Sequence, residues 1–293
     1  MTTLACALLP SFSPQQYLTL ARAADDAGLA EIVLWEDCFK ESALAAAGAI
    51  LGRTQRLRVQ LGVLPVPLRN VALTAMEIAT LEGMFPGRLV PGVGHGVQSW
   101  MAQVGAKPAS PLTLLREYLT ALRALLAGER LTVSGRYVSL DDVALDWPPV
   151  TPPPVISAAA GPKTLRLVGE LADGVALDGG NGYTRLKAAL ETVRAAYDDA
   201  GRTDAFLTSV TVPTAIGPGA EERVRAWLPT WPLPADEPAD YAVWGDTPEQ
   251  IAEGLRRFAG LGADTLVVQP LDDEPDPERL IRVLGTEVAP LLR

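Results

Sequence analysis

Residues 155–177 read VISAAAGPKTLRLVGELADGVAL, and this stretch contains one complete strand–helix–strand unit. The apolar run from Val155 to Ala160 predicts a strand, and the segment from Lys163 to Ala172 predicts a helix. Asp173-Gly174 is a turn signal that leads into a second predicted strand, Gly174 to Leu177. Both strands are apolar without alternation, which is typical of parallel strands that are covered on both faces.

The same alternation continues along the rest of the chain. Two capping boxes, at 13–16 (SPQQ) and 247–250 (TPEQ), mark the starts of helices. Further strands are predicted at Leu4–Leu9, Ile32–Trp35, Leu57–Leu64, Arg88–Gly92, Phe206–Val212 and Thr265–Val268. Further helices are predicted from Pro14, at Ser42–Leu51, Val71–Met84, Leu112–Ala127 and Tyr183–Ala200, up to Ala259, and at the end of the chain.

Eight strands separated by helices in 293 residues favour an α/β fold of the closed (β/α)8 TIM barrel type, with residues 1–293 forming one domain. The alternative is an open doubly wound sheet, which usually has a glycine-rich turn after its first strand. This chain has Pro10-Ser11-Phe12 at that position. The barrel is therefore the preferred interpretation.

Two additions to the barrel are predicted. Leu131 to Val133 and Tyr137 to Leu140 flank Ser134-Gly135, a pattern that indicates a small hairpin insertion. The segment from Trp227 to Tyr241 is rich in proline and acidic residues and shows no helical or strand period. It is interpreted as a long loop over the barrel mouth, or alternatively as a mobile surface insertion.

Composition excludes several classes of partner. The net charge of −10 repels nucleic acid and anionic lipid, and no apolar run is long enough to span a bilayer. The start of the chain has no positively charged leader region, so a cytoplasmic location is expected. Two cysteines and a single histidine do not form a metal-ligand cluster, so no metal site is expected. The expected partner is a small-molecule substrate.

In a TIM barrel the working residues follow the carboxyl ends of the strands. Asp37 follows the second strand and could bind a cofactor, hold a loop or cap a helix. Gly62 interrupts the third strand and is followed by Pro65 and Pro67. This pattern indicates a bulge or a close backbone approach to a flat molecule, or simply a strand broken by proline.

The fourth and fifth predicted strands end in segments that could bind a ligand. In 92–98 (GVGHGVQ) the glycines let the backbone approach a ligand, and His95 is the only imidazole in the chain. His95 is either a site residue or a structural loop residue. Gly161 and Pro162 begin a helix, and with Lys163 and Thr164 they could bind an anion, although most helix starts bind nothing.

These segments carry a resemblance to the bacterial luciferase-like monooxygenase superfamily, the flavin- and deazaflavin-dependent (β/α)8 oxidoreductases. The order and spacing of the matching stretches, which span nearly the whole chain, are characteristic of that family. The matching stretches are Arg58–Val63, Pro86–Leu89 with Gly92–Gly96, Gly161–Glu170 with Ala172–Gly174, and Gly245–Gln250 with Gly262–Asp264.

The chain looks most like the branch that uses the deazaflavin coenzyme F420 rather than FMN. The resemblance implies a hydride transfer in which the protein supplies orientation and a proton relay, with His95 and Asp37 as the catalytic candidates. The cofactor-binding residues that it implies are Asp37 near the ring, a cis peptide at Gly62-Val63 behind the ring, Gly94 and Gln98 along the tail, and Ala160, Gly161, Lys163 and Thr164 near the phosphate.

Three departures from the family pattern limit what the resemblance implies about the substrate. Sugar-phosphate dehydrogenases of this branch have a histidine where this chain has Cys38, and a glutamate where it has His95. One-carbon pterin reductases have an acidic residue where it has Leu8 and Leu9. The expected function is hydride transfer between F420 and a small organic substrate. The alternatives are an FMN-dependent monooxygenase and a non-catalytic flavin- or ligand-binding barrel, and exposed apolar helices favour a homodimer.

Overall fold

A computed structural model describes residues 2–231 and 237–292 of the chain. Parallel strands form the centre of the structure and helices surround them. The strands are β1 Thr3–Leu8, β2 Glu31–Leu34, β3 Arg58–Leu61, β4 Leu64–Pro65, β5 Leu89–Val90, β6 Gly92–Gly94, β7 Leu131–Ser134, β8 Ser139–Val143, β9 Ile156–Ala158, β10 Gly174–Leu177, β11 Leu207–Ile216, β12 Val243–Gly245 and β13 Thr265–Pro270.

The parallel sheet closes into a barrel through two interrupted strands. β3 and β4 are halves of one strand that is broken at Gly62-Val63, and β5 and β6 are halves of another that is broken at Pro91. β3 pairs with β5, β4 pairs with β6, and β6 pairs with β9. The remaining order, β9-β10-β11-β13-β1-β2-β3, completes the ring. Counted in this way, the described residues contain eight barrel strands, which confirms the predicted (β/α)8 fold over the open sheet.

Helices pack against the outside of the barrel and contribute most of the apolar core. The capping box at the start of the first helix is present, because Ser13 Oγ accepts from the Gln16 amide and Gln16 Oε1 accepts from the Ser13 amide. The helices are α1 Pro14–Asp26, α2 Ala43–Leu51, α3 Val71–Met84, α4 Gln98–Gln103, α5 Pro111–Leu126, α6 Pro162–Leu171, α7 Tyr183–Asp199, α8 Ala220–Trp227, α9 Pro238–Tyr241, α10 Pro248–Ala259, α11 Pro277–Val283 and α12 Ala289–Leu291. In the described ranges, none of them combines the length and apolar composition needed to cross a membrane.

One predicted addition is present in full, and the other is described in part. β7 and β8 pair antiparallel, which confirms the hairpin insertion. The sequence pattern predicts a loop without helical structure from Trp227 to Tyr241. This prediction is wrong in part, because Leu228–Thr230 forms a 3₁₀ turn and α9 is a short helix. Residues 232–236 of that segment lie outside the described residues. β12, which extends the sheet beside β11, was not predicted, because three residues are too few for a period.

Side chains alternate between the helices and the barrel interior. Leu4, Cys6 and Leu8 of β1 belong to the core shared with the helices, whereas Ala5 and Ala7 pack in a separate small cluster inside the barrel. The pairing registers extend this inner face to the other strands, where Ala158 pairs with Ala176. Many of the inner positions are therefore small residues, which leaves space within the carboxyl-terminal half of the barrel.

Candidate functional site

The carboxyl ends of the barrel strands surround an opening. Ala158 and Ala176 face the interior and are half-exposed, and Ala160 and Asp178, two residues further along the same strands, are exposed. Inward-facing residues in the middle of a filled barrel are buried. The partial exposure of Ala158 and Ala176 therefore shows that the opening, called the mouth below, extends down into the barrel.

Glycines and the Val63 side chain form the floor of the mouth. A Cβ on Gly94 would lie 2.7 Å from Val63 Cγ2, and a Cβ on Gly62 would lie 2.8 Å from Val33 Cγ1. Both distances are too short for a side chain, so only glycine fits at either position. The Gly62-Val63 peptide bond is cis, as the family resemblance implied, and Cys38-Phe39 is also cis. The floor therefore presents backbone rather than bulky side chains.

His95 and Thr164 come together at one side of the mouth. His95 follows β6 and Thr164 lies in the first turn of α6, and His95 Nε2 is 3.0 Å from Thr164 Oγ1. Burial lowers the pKa of His95. The Pro111 backbone opposes part of this shift, because it favours the protonated imidazole and so raises the pKa. His95 is therefore neutral near pH 7. In this form one ring nitrogen accepts a hydrogen bond and the other donates.

Gln98 begins α4 and stabilises the loop that carries His95. Its Nε2 donates to the carbonyl oxygens of His95 at 3.0 Å and Gly96 at 3.3 Å. Its Oε1 is buried and has no hydrogen-bond partner among residues 2–231 and 237–292. An acceptor in that condition is unfavourable unless a ligand or a water donates to it.

The start of α6 lies next to this loop. Gly161 is the N-cap, Pro162 occupies the first helical position, and no side chain caps the helix. A Cβ on Gly161 would meet no atom within 4 Å, so the space in front of the helix is open. The exposed Lys163 contributes a positive charge here, in addition to the helix dipole. The predicted residues of this segment thus share one exposed edge of the mouth.

Asp37 and Cys38 follow β2 on the neighbouring side of the mouth. Asp37 does not cap α2, because Ser42 is the N-cap of that helix. Burial raises the pKa of Asp37 despite the attraction of Lys40. Burial also raises the pKa of the Cys38 thiol, and Glu36 and Asp37 raise it further, so Cys38 is a neutral thiol rather than a thiolate.

Glu36, the residue before Asp37, is paired with an arginine. Its carboxylate accepts from the Arg69 guanidinium at 2.8 and 2.9 Å and from the Ala43 amide at 2.9 Å. Hydrogen bonds between a guanidinium and a carboxylate are stronger than neutral ones. Glu36 therefore stabilises the loop after β2.

Sequence reasoning missed Asp178, which follows β10. The residue lies directly after β10, at the carboxyl end of that strand. Partial burial raises the pKa of Asp178, although the Gly180 amide and Asn181 Nδ2 donate hydrogen bonds to its carboxylate. The signal was present in 177–180 (LDGG), an acid followed by two glycines at the end of a predicted strand.

A large cavity of about 1070 Å³ lies at the opposite end of the barrel. It is lined by α3, the segment 144–154 and the start of β3, including Arg58, Met76 and Trp147. None of the predicted site residues lines it. In TIM barrels the chemistry is located at the carboxyl ends of the strands, so the mouth is the candidate site.

The comparison with known families finds a match over most of the chain. Residues 2–241 match the model of the luciferase-like monooxygenase family. The chain belongs to the luciferase-like monooxygenase family. The membership confirms the resemblance derived from the motifs around Gly62, Gly94 and Gly161, since these residues lie within the matched range.

Curated relatives of this family member include F420-dependent enzymes. An F420-dependent glucose-6-phosphate dehydrogenase of Microbacterium testaceum is 29% identical, covering 96% of this chain and 94% of the relative. A second enzyme of that description, from Intrasporangium calvum, is 30% identical, covering 87% and 84%. A 5,10-methylenetetrahydromethanopterin reductase of Methanolobus tindarius is 27% identical over a shorter range, 62% of this chain and 55% of the relative.

Solved structures of low sequence identity share the fold of this luciferase-like protein. An F420-dependent secondary alcohol dehydrogenase, determined in complex with an F420-acetone adduct, superposes with a TM-score of 0.89 at 21% identity and covers 100% of this chain and 99% of the other. The F420-dependent tetrahydromethanopterin reductase of Methanopyrus kandleri gives 0.86 at 19% identity, with the same coverage. These likenesses confirm the fold.

Proposed function

We propose that this protein is an oxidoreductase that transfers a hydride between coenzyme F420 and a small organic substrate at the barrel mouth. The observation that carries the proposal is the floor of the mouth. Gly62, Val63 and Gly94 present backbone and small groups there, so a flat ring can lie against them. The family members most similar in sequence include enzymes named for their dependence on this coenzyme.

The residues present fit a ring that carries a phosphorylated tail. Gln98 Oε1 is a buried acceptor that needs a donor, and the same amide group donates to the Gly96 carbonyl in the loop after β6. The open N-terminus of α6, with Gly161, Lys163 and Thr164, suits the phosphate, because free amides and the helix dipole favour an anion. In this proposal Asp37 and Ala160 contact the coenzyme at the two sides of the mouth.

His95 moves the proton that accompanies the hydride. When bound, F420 supplies the two-electron hydride chemistry. His95 is neutral near pH 7 and can therefore accept a proton at one ring nitrogen. The contact between Nε2 and Thr164 Oγ1 fixes the orientation of the ring. Asp37 is the second catalytic candidate, because its raised pKa allows it to hold a proton closer to neutrality than an exposed aspartate.

The test is a comparison of coenzyme binding and turnover. We expect purified protein to quench the fluorescence of F420 in a saturable manner, and to bind FMN more weakly, because the mouth buries the ring. Riboflavin, which lacks the phosphate, separates the contribution of the ring from that of the α6 site. Tighter binding of FMN, with turnover that requires oxygen, would replace this proposal with that of a flavin monooxygenase. Binding of F420 without turnover on any substrate would favour a non-catalytic barrel.

We further propose that residues 1–293 act as one domain, that the protein works in the cytoplasm, and that it forms a homodimer. The dimer is supported by apolar side chains exposed on and near α3. Leu73, Met76 and Met84 are 48%, 56% and 65% exposed, and Trp147, which lies across the adjoining cavity, is 88% exposed. Large exposed apolar patches mark interaction surfaces.

A further inference from the structure

Trp35, the residue after β2, turns its indole into the barrel. The ring packs against a cluster on the inner face of the barrel, formed by Ala5, Ala7, Val33 and Val267. A Cβ on Gly62 would lie 3.6 Å from Trp35 Cδ1, so the indole also borders the glycine floor. Trp35 is only partly buried. The indole therefore covers the inside of β1 and leaves apolar surface accessible at the carboxyl end of the barrel.

Gln269 of β13 continues the same inner face. It lies two residues after Val267, and side chains two apart on a strand point to the same side. In the register with β11 it pairs with Pro213. A Cβ on Gly179, which follows β10, would lie 3.1 Å from Gln269 Oε1 and 2.7 Å from Pro213 Cδ. The Gln269 amide therefore lies at the carboxyl ends of β10 and β11, on the inside of the barrel.

The Gln269 amide has no partner within the protein. The side chain is 4% exposed, and its amide forms no hydrogen bond with any residue in 2–231 or 237–292. Unlike Gln98 Oε1, the amide is not sealed from solvent. Buried amides are nearly always hydrogen-bonded in folded proteins, because removing them from water without a partner is unfavourable. This amide is therefore available to a molecule in the mouth.

The indole and the amide together offer an apolar surface with one neutral polar group. The groups that border them in these contacts, at Gly62, Gly179, Pro213 and the inner-face cluster, are uncharged. An amide accepts at Oε1 and donates at Nε2. It can accept from the hydroxyl of an alcohol, and it can donate to the carbonyl oxygen that forms when the alcohol loses a hydride and a proton. One side chain thus suits both states of such a substrate.

We propose that Trp35 and Gln269 form the substrate subsite of the mouth, where Trp35 packs against a flat apolar ring and Gln269 binds the oxygen of an alcohol or its ketone. In the oxidation direction the alcohol carbon loses a hydride to the coenzyme, and the hydroxyl proton passes to the relay proposed at His95. The C–O bond then becomes a carbonyl. The inference rests on the proposed function, because it assigns the substrate side of the same mouth.

The experiment compares substrates that differ in the size of their flat apolar part. Acetone, cyclohexanone and acetophenone are titrated by calorimetry into protein saturated with oxidised F420, with which ketones do not react. The corresponding alcohols, 2-propanol, cyclohexanol and 1-phenylethanol, are used to measure kcat/KM from the coenzyme absorbance. We expect Kd to fall by about tenfold or more from acetone to acetophenone, because the ring buries apolar area against Trp35.

Gln269→Leu tests the amide, because leucine is similar in size but can neither donate nor accept. Kd for each ketone should rise, and kcat/KM for each alcohol should fall, by about fivefold to tenfold. The urea midpoint should stay unchanged or rise, since no hydrogen bond within the protein is lost. F420 quenching should stay within a few-fold of the parent. Gln55→Leu, at an exposed position before β3, is the matched control and should bind the ketones like the parent.

Two substitutions of Trp35 test the ring. Trp35→Leu should reduce the preference for acetophenone over acetone by about tenfold, because it removes the flat surface. Trp35→Phe keeps a flat ring and should retain most of the preference. Equal preferences in these two variants would remove Trp35 from the subsite.

Four further results would overturn the inference. They are an unchanged Kd in Gln269→Leu, a lower urea midpoint in that variant, loss of its F420 quenching, which would assign the amide to the coenzyme, and binding of none of the three ketones by the parent. A failure of the proposed function gives a different result, namely no quenching of F420 by the parent. In that case calorimetry on the coenzyme-free protein compares the same ketones in the parent and Gln269→Leu, and tests the subsite on its own.

Discussion

At the residue scale, the contact between His95 and Thr164 joins two segments that are 69 positions apart in the chain. His95 is half-buried beside the glycine floor, and its pKa is lowered mainly by burial. Thr164 serves two purposes in one position, since its hydroxyl contacts the imidazole and its amide belongs to the first turn of α6. The two residues link the proposed proton relay to the proposed phosphate site.

The first prediction is that His95→Asn lowers turnover by about 10²-fold or more, the usual contribution of a general acid–base group. Asparagine keeps the approximate size and some hydrogen bonding but cannot titrate. F420 affinity, measured by quenching, should stay within a few-fold of the parent. In the parent, turnover in the direction that requires the neutral imidazole should fall only below the ordinary histidine pKa, because burial lowers the pKa of His95.

The His95→Asn variant should lose this acid limb. Thr164→Val is the companion variant, because it removes the hydroxyl that contacts Nε2 but leaves the imidazole in place. It should shift the pH profile without abolishing it. Unchanged turnover in His95→Asn would show that His95 is a loop residue and that the proton comes from another group.

At the element scale, the start of α6 shows why a helix N-terminus becomes a candidate site only in context. Ser13 and Thr247 cap their own helices with side-chain oxygens, so these N-termini are already satisfied. Gly161 has no side chain to do so, and it faces open space at the edge of the mouth. The unsatisfied amides of α6 are therefore available to a ligand.

The second prediction is that Gly161→Ala weakens F420 binding by about tenfold while the free energy of unfolding changes by less than about 1 kcal/mol. The backbone at Gly161, with φ −83° and ψ 153°, suits alanine, and the added methyl meets no protein atom within 4 Å. The methyl would instead occupy space that the proposal assigns to the coenzyme. Quenching titrations and urea unfolding measure the two effects.

Gly83→Ala is the matched control. Gly83 lies within α3, and a Cβ there also meets no atom within 4 Å, but it borders the cavity at the opposite end of the barrel. This variant should be stabilised by up to about 1 kcal/mol through helix propensity and should bind F420 like the parent. Equal effects of the two substitutions on F420 affinity would remove α6 from the proposed site.

At the scale of the whole molecule, the amino-terminal half of the barrel contains a buried acid. Glu31 of β2 is 1% exposed and pairs in register with Ala5 and Arg58, on the inner face. Burial raises its pKa to about 7, with Arg58 opposing the shift from 3.5 Å. Glu31 Oε1 has no partner within the described ranges. The acid destabilises the barrel when it is ionised.

The third prediction concerns the pH dependence of stability. A carboxyl whose pKa is raised from 4.5 to about 7 binds more protons in the folded state, so its contribution to stability is largest below pH 4.5 and is lost as the pH rises through 7. The stability gained by Glu31→Gln over the parent should therefore be larger at pH 8 than at pH 5. The gain at the two pH values should differ by an amount on the order of 3 kcal/mol in the free energy of unfolding.

Urea unfolding of parent and variant at both pH values measures this difference. Glu129→Gln, at an exposed position after α5, should show the same pH dependence as the parent. A difference between Glu31→Gln and the parent that does not change from pH 5 to pH 8 would contradict the prediction, because it would mean that Glu31 titrates alike in the folded and unfolded states.

The alternation of strands and helices, the capping boxes, the hairpin and the barrel class could all be derived from the sequence. These features depend on residues close together in the chain, whose spacing and turn chemistry are visible in one dimension. The family resemblance pointed to the segments around Gly62, Gly94 and Gly161 for the same reason. Each of these segments is a local motif at a strand end.

Only the tertiary structure decided which strand-end residues meet and in what state. The closure of the barrel places Thr164 against His95 and pairs Glu36 with Arg69. It also determines which inward positions are open to a ligand and which acids are buried. These properties depend on distances between residues far apart in the chain and on the exclusion of water, and neither is specified by the spacing of residues in the sequence.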